Sequence, residues 1–134
     1  TAYEIPKRDW SSDVCSSDLI EREPIKYALI AAKQFQVIVL LKGKYTIVTD
    51  GARIIQLPAA TSYLATAGTG DVLAGILGAL IALNKGEVTP QNLIEIGATA
   101  AFIHAKSAEN TSLGPISSSA MIHKIASSIA NLSI

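Results

Sequence analysis

A glycine-rich turn that opens directly into an apolar helix constrains this chain more than any other feature. Residues 64–73 read LATAGTGDVL, and apolar or small residues continue to position 83. Gly68 and Gly70 carry no Cβ, so the backbone can bend there and approach a ligand closely. The first free amides of the helix would point at that ligand, and the helix dipole favours negative charge at this end. The segment therefore predicts an anion-binding turn.

Asp71 places a carboxylate at the start of the same helix. The sequence leaves two interpretations open. The carboxylate can cap the helix amides, or it can stand beside a bound phosphate and act as a base on a nearby hydroxyl. The turn lacks the Gly-Lys-Ser/Thr ending of a Walker A loop, and Leu73 stands where a Rossmann loop needs its third glycine. Both common nucleotide fingerprints are thus excluded.

Three segments carry a resemblance to a known family. Residues 64–75, LATAGTGDVLAG, are similar to the anion-hole motif of the ribokinase-like superfamily, and within it to the ADP- or ATP-dependent NAD(P)H-hydrate dehydratases. Residues 37–51, VIVLLKGKYTIVTDG, resemble that family's strand, Leu-Lys-Gly turn and hairpin, at the family's spacing from the glycine turn. Residues 114–122, GPISSSAMI, resemble the segment that starts the family's last helix.

The resemblance implies a ribokinase-like layered α/β/α fold, present only as its C-terminal half. Residues 20–134 are then the C-terminal part of a single dehydratase domain, and residues 1–8 are a remnant without an assigned role. Residues 9–19 read DWSSDVCSSDL and resemble the translation of a short-read sequencing adapter, so they are set aside from fold reasoning. An upstream half of the domain is expected to supply most of the sheet.

The resemblance also implies an activity, which is the repair of hydrated NADH or NADPH (NADHX or NADPHX). The ring hydroxyl is phosphorylated by ADP or ATP, with Mg²⁺ on the phosphates, and phosphate is then eliminated. Phosphoryl transfer asks mainly for positioning and charge stabilisation, which a glycine turn at a helix start supplies. Asp71 is implied as the catalytic base that faces the substrate. The implied nucleotide-binding residues are Lys42, Gly43, Lys44, Tyr45, Thr46 and Gly70, and the anion hole comprises Ala67, Gly68, Thr69 and Gly70.

Two alternative functions stay open. Small-molecule kinases of the same superfamily, acting on sugars, hydroxymethylpyrimidine or thiazole, also use a Gly-Thr-Gly-Asp turn for phosphoryl transfer. The chain could instead be an inactive nucleotide-binding fragment. The Leu-Ala-Thr lead before the turn and its spacing from the Leu-Lys-Gly segment favour the dehydratase.

Composition bounds the partners. Hydrophobic residues make up 49% of the chain and aromatic residues 5%, which indicates a globular chain with a core of small aliphatic side chains. Removing residues 9–19 from a chain of zero formal charge leaves 11 basic and 8 acidic residues without a basic cluster, so nucleic acid is not a predicted partner. We find neither a membrane-length apolar span nor a signal peptide and predict a cytoplasmic protein. The resemblance allows a homo-oligomer and an NAD(P)HX epimerase, fused or separate.

Periodicity predicts the elements before the glycine turn and the character of the helix after it. A helix is expected over residues 25–33, then a strand over 37–41 covered on both faces. A hairpin of residues 46–49 and 53–56 turns at Asp50-Gly51. The helix after Asp71 is apolar almost all round, which predicts cover on every side, with Gly75 and Gly78 allowing close helix packing.

The C-terminal third carries helix-start signals and the two histidines. Thr89-Pro90 opens a helix that runs to about Lys106, with the proline at its first position. Residues 117–119 offer a cap for the last helix. His104 is predicted as a packed, hydrogen-bonded core residue and His123 as a surface residue, and neither has a partner at metal-ligand spacing.

Overall fold

The computed structural model describes residues 18–86, 88–111 and 114–132. Residues 1–8, and all but the last two residues of the adapter-like segment 9–19, lie outside the described residues. The main elements, in chain order, are α1 (Pro24–Phe35), β1 (Val39–Leu41), β2 (Tyr45–Thr49), β3 (Ile54–Ala59), a 3₁₀ turn (Ser62–Leu64), α2 (Thr69–Leu83), α3 (Pro90–Glu109), α4 (Ser118–Ile122) and α5 (Ile125–Ala130).

Hydroxyl caps start α3 and α4 as the sequence predicts. Thr89 Oγ1 accepts the amide of Asn92 at 3.2 Å, and Pro90 takes the first helical position. Ser117 Oγ accepts the amide of Ala120 at 3.2 Å. Each cap satisfies an amide that has no partner inside its own helix. The predicted helices over 25–33 and 89–106 are confirmed, with ends that extend a few residues further.

The three strands form one antiparallel sheet in the order β1-β2-β3. The predicted hairpin is confirmed, because Thr49 pairs with Ile54 across the Asp50-Gly51 turn. Gly51 has a φ of 92°, a left-handed conformation that favours glycine. A Cβ there would also lie 2.8 Å from the Cγ of Lys33 in α1, so the turn packs directly on that helix.

Asp50 gives this turn a pH dependence. Its Oδ1 accepts the amides of Arg53 and Ala52 at 2.7 and 2.9 Å, and its Oδ2 lies 3.2 Å from the Arg53 guanidinium. These bonds, the amides above all, lower the pKa of Asp50 from 3.8 to about 2. Because the folded pKa lies below the unfolded one, this contribution to stability is present above pH 3.8 and is lost as the pH falls toward 2.

We therefore expect Asp50→Asn to flatten the acid dependence of stability. The amide oxygen still accepts the two backbone bonds, so the turn persists while the titrating charge is gone. Urea unfolding of both proteins at several pH values between 3.8 and about 2 measures the difference. Parallel pH profiles would contradict the assignment.

Helices cover both faces of the sheet. Val48 in β2 is fully buried against α3, where it packs with Ile94. Side chains alternate along a strand, so the neighbouring Ile47 points to the opposite face, and it is buried as well. α1 contacts β1 and β2 and buries Ala28 and Ala32. The layered helix–sheet–helix arrangement that the resemblance implied is confirmed.

Two predictions about which elements are buried on all sides are wrong for the described residues. The strand predicted over 37–41 is limited to β1, whose residues are only half-buried, and Val37 is 48% exposed. The reason is that β1 is an edge strand with a single neighbour. α2 buries Thr69, Val72, Leu73 and Ile76 against α3 and α4, and its other side is exposed. An apolar helix is buried only where another element packs on it.

Gly97 allows α3 to pack closely on the sheet. A Cβ at Gly97 in α3 would lie 3.1 Å from Cγ1 of Val48, so the helix backbone sits directly on the sheet. At Gly75 and Gly78 a Cβ would meet no atom within 4 Å. The prediction that these two glycines permit close packing is wrong, because both lie on the exposed side of α2.

We expect Gly97→Val to lower the free energy of unfolding by about 1–3 kcal/mol, because the branched side chain collides with Val48. Gly78→Val is the matched control, since it makes the same change on an open helix face and removes a poor helix former. Urea denaturation of the two variants checks this. Equal midpoints would show that α3 does not approach the sheet as closely as described.

Candidate active site

The Leu-Lys-Gly turn and the glycine turn meet through Lys42. Its Nζ donates to the carbonyl oxygen of Leu64 at 3.0 Å and to Oγ1 of Thr69 at 3.2 Å. These partners lie 22 and 27 residues further along the chain. Partial burial lowers the pKa of the Lys42 ammonium. Two of the segments that carry the family resemblance are therefore adjacent in the structure.

Thr69 is directed into the protein and away from solvent. It is buried, and its Oγ1 lies 2.8 Å from the carbonyl oxygens of both Leu64 and Thr66, one of which accepts the hydroxyl proton. Its amide donates to Thr66 at 3.3 Å, and its carbonyl accepts from the imidazole of His104 at 2.7 Å. Of the predicted anion-hole residues, Thr69 thus acts inside the turn, where it holds the backbone in shape.

Gly70 and Asp71 supply open amides at the start of α2. In the first turn, the Thr69 amide donates to Thr66 and the Val72 amide to Gly68. Within the part of the chain that the structure describes, the amides of Gly70 and Asp71 have no acceptor. Gly70 is exposed, and a Cβ built there would meet nothing within 4 Å. Two donors without an acceptor at the start of a helix are what a bound anion requires.

Gly68 is the helix cap that makes this geometry feasible. Its φ of 82° is left-handed, and the cap makes no side-chain hydrogen bond. A Cβ at Gly68 would lie 2.7 Å from Oγ and 3.1 Å from Cβ of Ser118, the first residue of α4. The closing segment that resembles the family therefore packs on the glycine turn itself.

The carboxylate of Asp71 does not cap α2. The cap is Gly68, and Asp71 follows as the third helical residue with an exposed side chain. Among the described residues its carboxylate accepts no hydrogen bond and forms no ion pair. Of the two interpretations that the sequence left open, capping is excluded here, and the carboxylate is free to meet a ligand.

A first cavity, of about 500 Å³, lies beside the Lys42 turn. Four of the predicted nucleotide-binding residues line it: Lys42, Gly43, Lys44 and Thr46. Tyr45 is outside the lining and 45% exposed, with the Lys44 Nζ 5.5 Å from the centre of its ring. Two lysines with backbone at a turn form an electropositive opening suited to phosphate groups.

A second cavity, of about 570 Å³, lies beside the start of α2. Gly68, Asp71 and Ser118 line it, together with apolar side chains of α2, α3, α4 and α5. The structure therefore divides the predicted site. The lysine turn lines one cavity and the candidate base lines the other, with the amides of Gly70 and Asp71 at the start of the helix that borders the second.

Sequence reasoning missed the position of His104. The expectation of a buried, hydrogen-bonded histidine is confirmed, as is the exposure of His123. His104 also lines the first cavity and contacts the glycine turn, 35 residues earlier in the chain. No local pattern could reveal that contact. Thr61 and Ser62 in the cavity wall were missed as well.

Residues 11–131 match the family model described as NAD(P)H-hydrate dehydratase. The chain belongs to this family. It is 33% identical over 112 residues to the bifunctional NAD(P)H-hydrate repair enzyme of Corynebacterium glutamicum. That match covers 82% of this chain and 18% of the relative. It is also 38% identical over 60 residues to a hydroxyethylthiazole kinase of Limosilactobacillus fermentum, covering 44% of this chain and 24% of the kinase.

As a member of the NAD(P)H-hydrate dehydratase family, the chain spans roughly a fifth of the length of the curated relatives it matches. Its fold is similar to that of the ADP/ATP-dependent NAD(P)H-hydrate dehydratase of Bacillus subtilis co-crystallized with ATP/Mg²⁺, with a TM-score of 0.71 at 20% identity. The match covers 84% of this chain and 40% of that one. The ribokinase-like α/β fold class is thereby confirmed.

Two negative findings concern the described residues alone. They contain no group of three or more His, Cys, Asp and Glu side chains placed to hold a metal ion. None of the helices in those ranges has the length and apolar character that a bilayer crossing demands.

Proposed function

We propose that residues 20–134 are the C-terminal, nucleotide-binding part of a single domain of an ADP- or ATP-dependent NAD(P)H-hydrate dehydratase. The contact of Lys42 with Thr69 carries the proposal, because it joins the lysine turn to the open amides at the start of α2. A phosphoryl donor needs both elements, a positive side chain and directed N–H donors.

The phosphates of ADP or ATP would bind between the lysine turn and the start of α2. The amides of Gly70 and Asp71 donate to phosphate oxygens, and Lys42 and Lys44 balance their charge. The rest of the nucleotide then occupies the first cavity along residues 42–46, whose volume is about 500 Å³. Thr69 acts indirectly, through the shape of the turn.

Asp71 would serve as the base. Its unpaired carboxylate accepts the proton of the ring hydroxyl of the hydrate while that oxygen bonds to the transferred phosphorus and the bond to the nucleotide breaks. Loss of phosphate from the ring carbon, with a proton from the adjacent carbon, restores the dihydropyridine ring. The position of Asp71 on the second cavity provides space for this substrate beside the helix start.

Mg²⁺ would neutralise charge on the phosphates. Mg²⁺ keeps several waters and takes phosphate oxygens together with only one or two carboxylates. Such a site needs no protein cluster of three ligands, and the described residues contain no such cluster of His, Cys, Asp or Glu. The lysines and the helix amides orient the nucleotide, and Asp71 moves the proton.

The substrates, partners and location follow from the same proposal. The substrate is NADHX or NADPHX, and the partner is an NAD(P)HX epimerase, fused or separate. The name of the Corynebacterium glutamicum relative, a bifunctional repair enzyme, supports a fused arrangement. A cytoplasmic location belongs to the proposal because nicotinamide cofactors are held inside the cell, and a homo-oligomer is compatible with it.

The test supplies hydrated NADH, Mg²⁺ and either ADP or ATP to this chain. Recovery of the near-ultraviolet absorbance of the dihydropyridine ring supports the proposal. A kinase of the same fold is the second candidate, favoured by the match to a hydroxyethylthiazole kinase. Phosphorylation of the thiazole alcohol without recovery of NADH would establish that function instead. Thermal stabilisation by nucleotide without turnover of either substrate would indicate a binding fragment.

A further inference from the structure

The buried imidazole of His104 reaches from α3 to the start of α2. Its Nε2 lies 2.7 Å from the carbonyl oxygen of Thr69, and since a carbonyl only accepts, Nε2 carries the proton and donates. Burial lowers the pKa of His104 below its usual 6.5, the bond to Thr69 opposes that shift, and the charge of Lys42 adds to it. The imidazole is therefore neutral at pH 7, with its proton on Nε2.

The carbonyl of Thr69 belongs to the same peptide unit as the amide of Gly70. That unit is planar and trans, so the direction of the carbonyl fixes the direction of the N–H. Thr69 is the first residue of α2, so the helix itself pairs this carbonyl with the Leu73 amide, and His104 adds a second donor to the same oxygen. A donor on the carbonyl also polarises the N–H of the same unit and makes it a better donor.

We propose that His104 is a positioning residue for the Gly70 amide and acts through the Thr69–Gly70 peptide. The proposal rests on the nucleotide-binding function proposed above. His104 donates to the Thr69 carbonyl, and Lys42 donates to the Thr69 hydroxyl. With both contacts in place, the open amide of Gly70 is aimed before a phosphate arrives, which lowers the ordering cost of binding.

Two substitutions separate positioning from packing. His104→Leu fills the space without a donor, whereas His104→Gln offers a side-chain N–H to the Thr69 carbonyl. We expect the Leu variant to raise the KM for nucleotide by about fivefold or more, with a smaller change in kcat, and the Gln variant to recover most of that loss. Ser107→Ala is the control, because Ser107 is buried on the same helix and donates only to Ile103 within α3, at 2.8 Å. It is expected to cost stability and leave the KM unchanged.

The amide resonance of Gly70 gives a readout that does not need turnover. Loss of the donor in His104→Leu shifts the Gly70 amide proton upfield, and His104→Gln restores it. If the Leu variant does not fold, His104→Asn replaces it. The Asn side chain is shorter, so its amide group does not reach the carbonyl oxygen of Thr69.

The outcomes distinguish the two proposals. An unshifted Gly70 resonance, or a KM within about twofold of wild type in a folded donor-less variant, overturns the role of His104. Absence of turnover and of nucleotide stabilisation in the wild type overturns the proposed function. In that event the Gly70 resonance still decides whether His104 orients the amide.

Discussion

Gly68→Ala is expected to lower the free energy of unfolding by about 2 kcal/mol or more and to abolish stabilisation by nucleotide. The left-handed φ of 82° alone costs a non-glycine residue about 1–2 kcal/mol. The added methyl would also lie 2.7 Å from Oγ of Ser118, a separation that forces either the turn or α4 to move. Either movement displaces the Gly70 amide, so the loss of affinity should exceed the loss explained by stability.

Gly75→Ala is the matched control for this prediction. It lies in the same helix, a Cβ there meets nothing within 4 Å, and removing a mid-helix glycine stabilises a helix by about 0.5–1 kcal/mol. Urea unfolding and thermal shifts with and without ADP measure both variants. Equal effects of the two substitutions would contradict the description of Gly68 as a cap pressed against Ser118.

Asp71→Asn is expected to reduce turnover of hydrated NADH by about 10²–10⁴-fold, the usual contribution of a general base. The amide keeps the size of the side chain but accepts no proton at neutral pH. Nucleotide affinity should change little, because the amides and lysines that meet the phosphates stay in place. Steady-state kinetics for turnover and calorimetry for ADP binding separate the two effects.

Asp50→Asn provides the control carboxylate. Asp50 lies in the β2–β3 turn, its charge is engaged by Arg53, and it lines neither of the cavities beside the glycine turn. Its removal should leave turnover unchanged. Full activity in Asp71→Asn would remove this residue from the proposed mechanism, and equal losses in both variants would point to a general effect on folding.

The elements that the sequence predicted well depend on short-range chemistry. The Thr89 and Ser117 caps and the Asp50-Gly51 turn each involve partners within about four residues, so the local pattern contains the whole interaction. The residues of the candidate site could be predicted from the sequence for a related reason. Glycines, a lysine and a carboxylate at characteristic spacing are needed for phosphate chemistry whatever surrounds them, and they stand together in two short segments.

The buried faces of the helices, and the positions of the segments relative to one another, could not be predicted in the same way. The residues of α2 are apolar all round. Which side of the helix is buried depends on where α3 and α4 pack, and Gly75 and Gly78 fall on the open side. The division of the site into two cavities likewise depends on how the lysine turn approaches α2. Single-chain periodicity holds no information on which element packs on which face.

The sequence by itself determined the helix starts, the hairpin turn and the two phosphate-type motifs, because each is encoded by neighbouring residues whose preferences add locally. Only the tertiary structure decided that Lys42 bonds to Thr69, that Gly97 packs α3 on Val48 and that His104 donates to the carbonyl of Thr69. These contacts join residues 27 to 49 positions apart. Their free energy exists only once the chain has brought distant segments together, so no local pattern reports it.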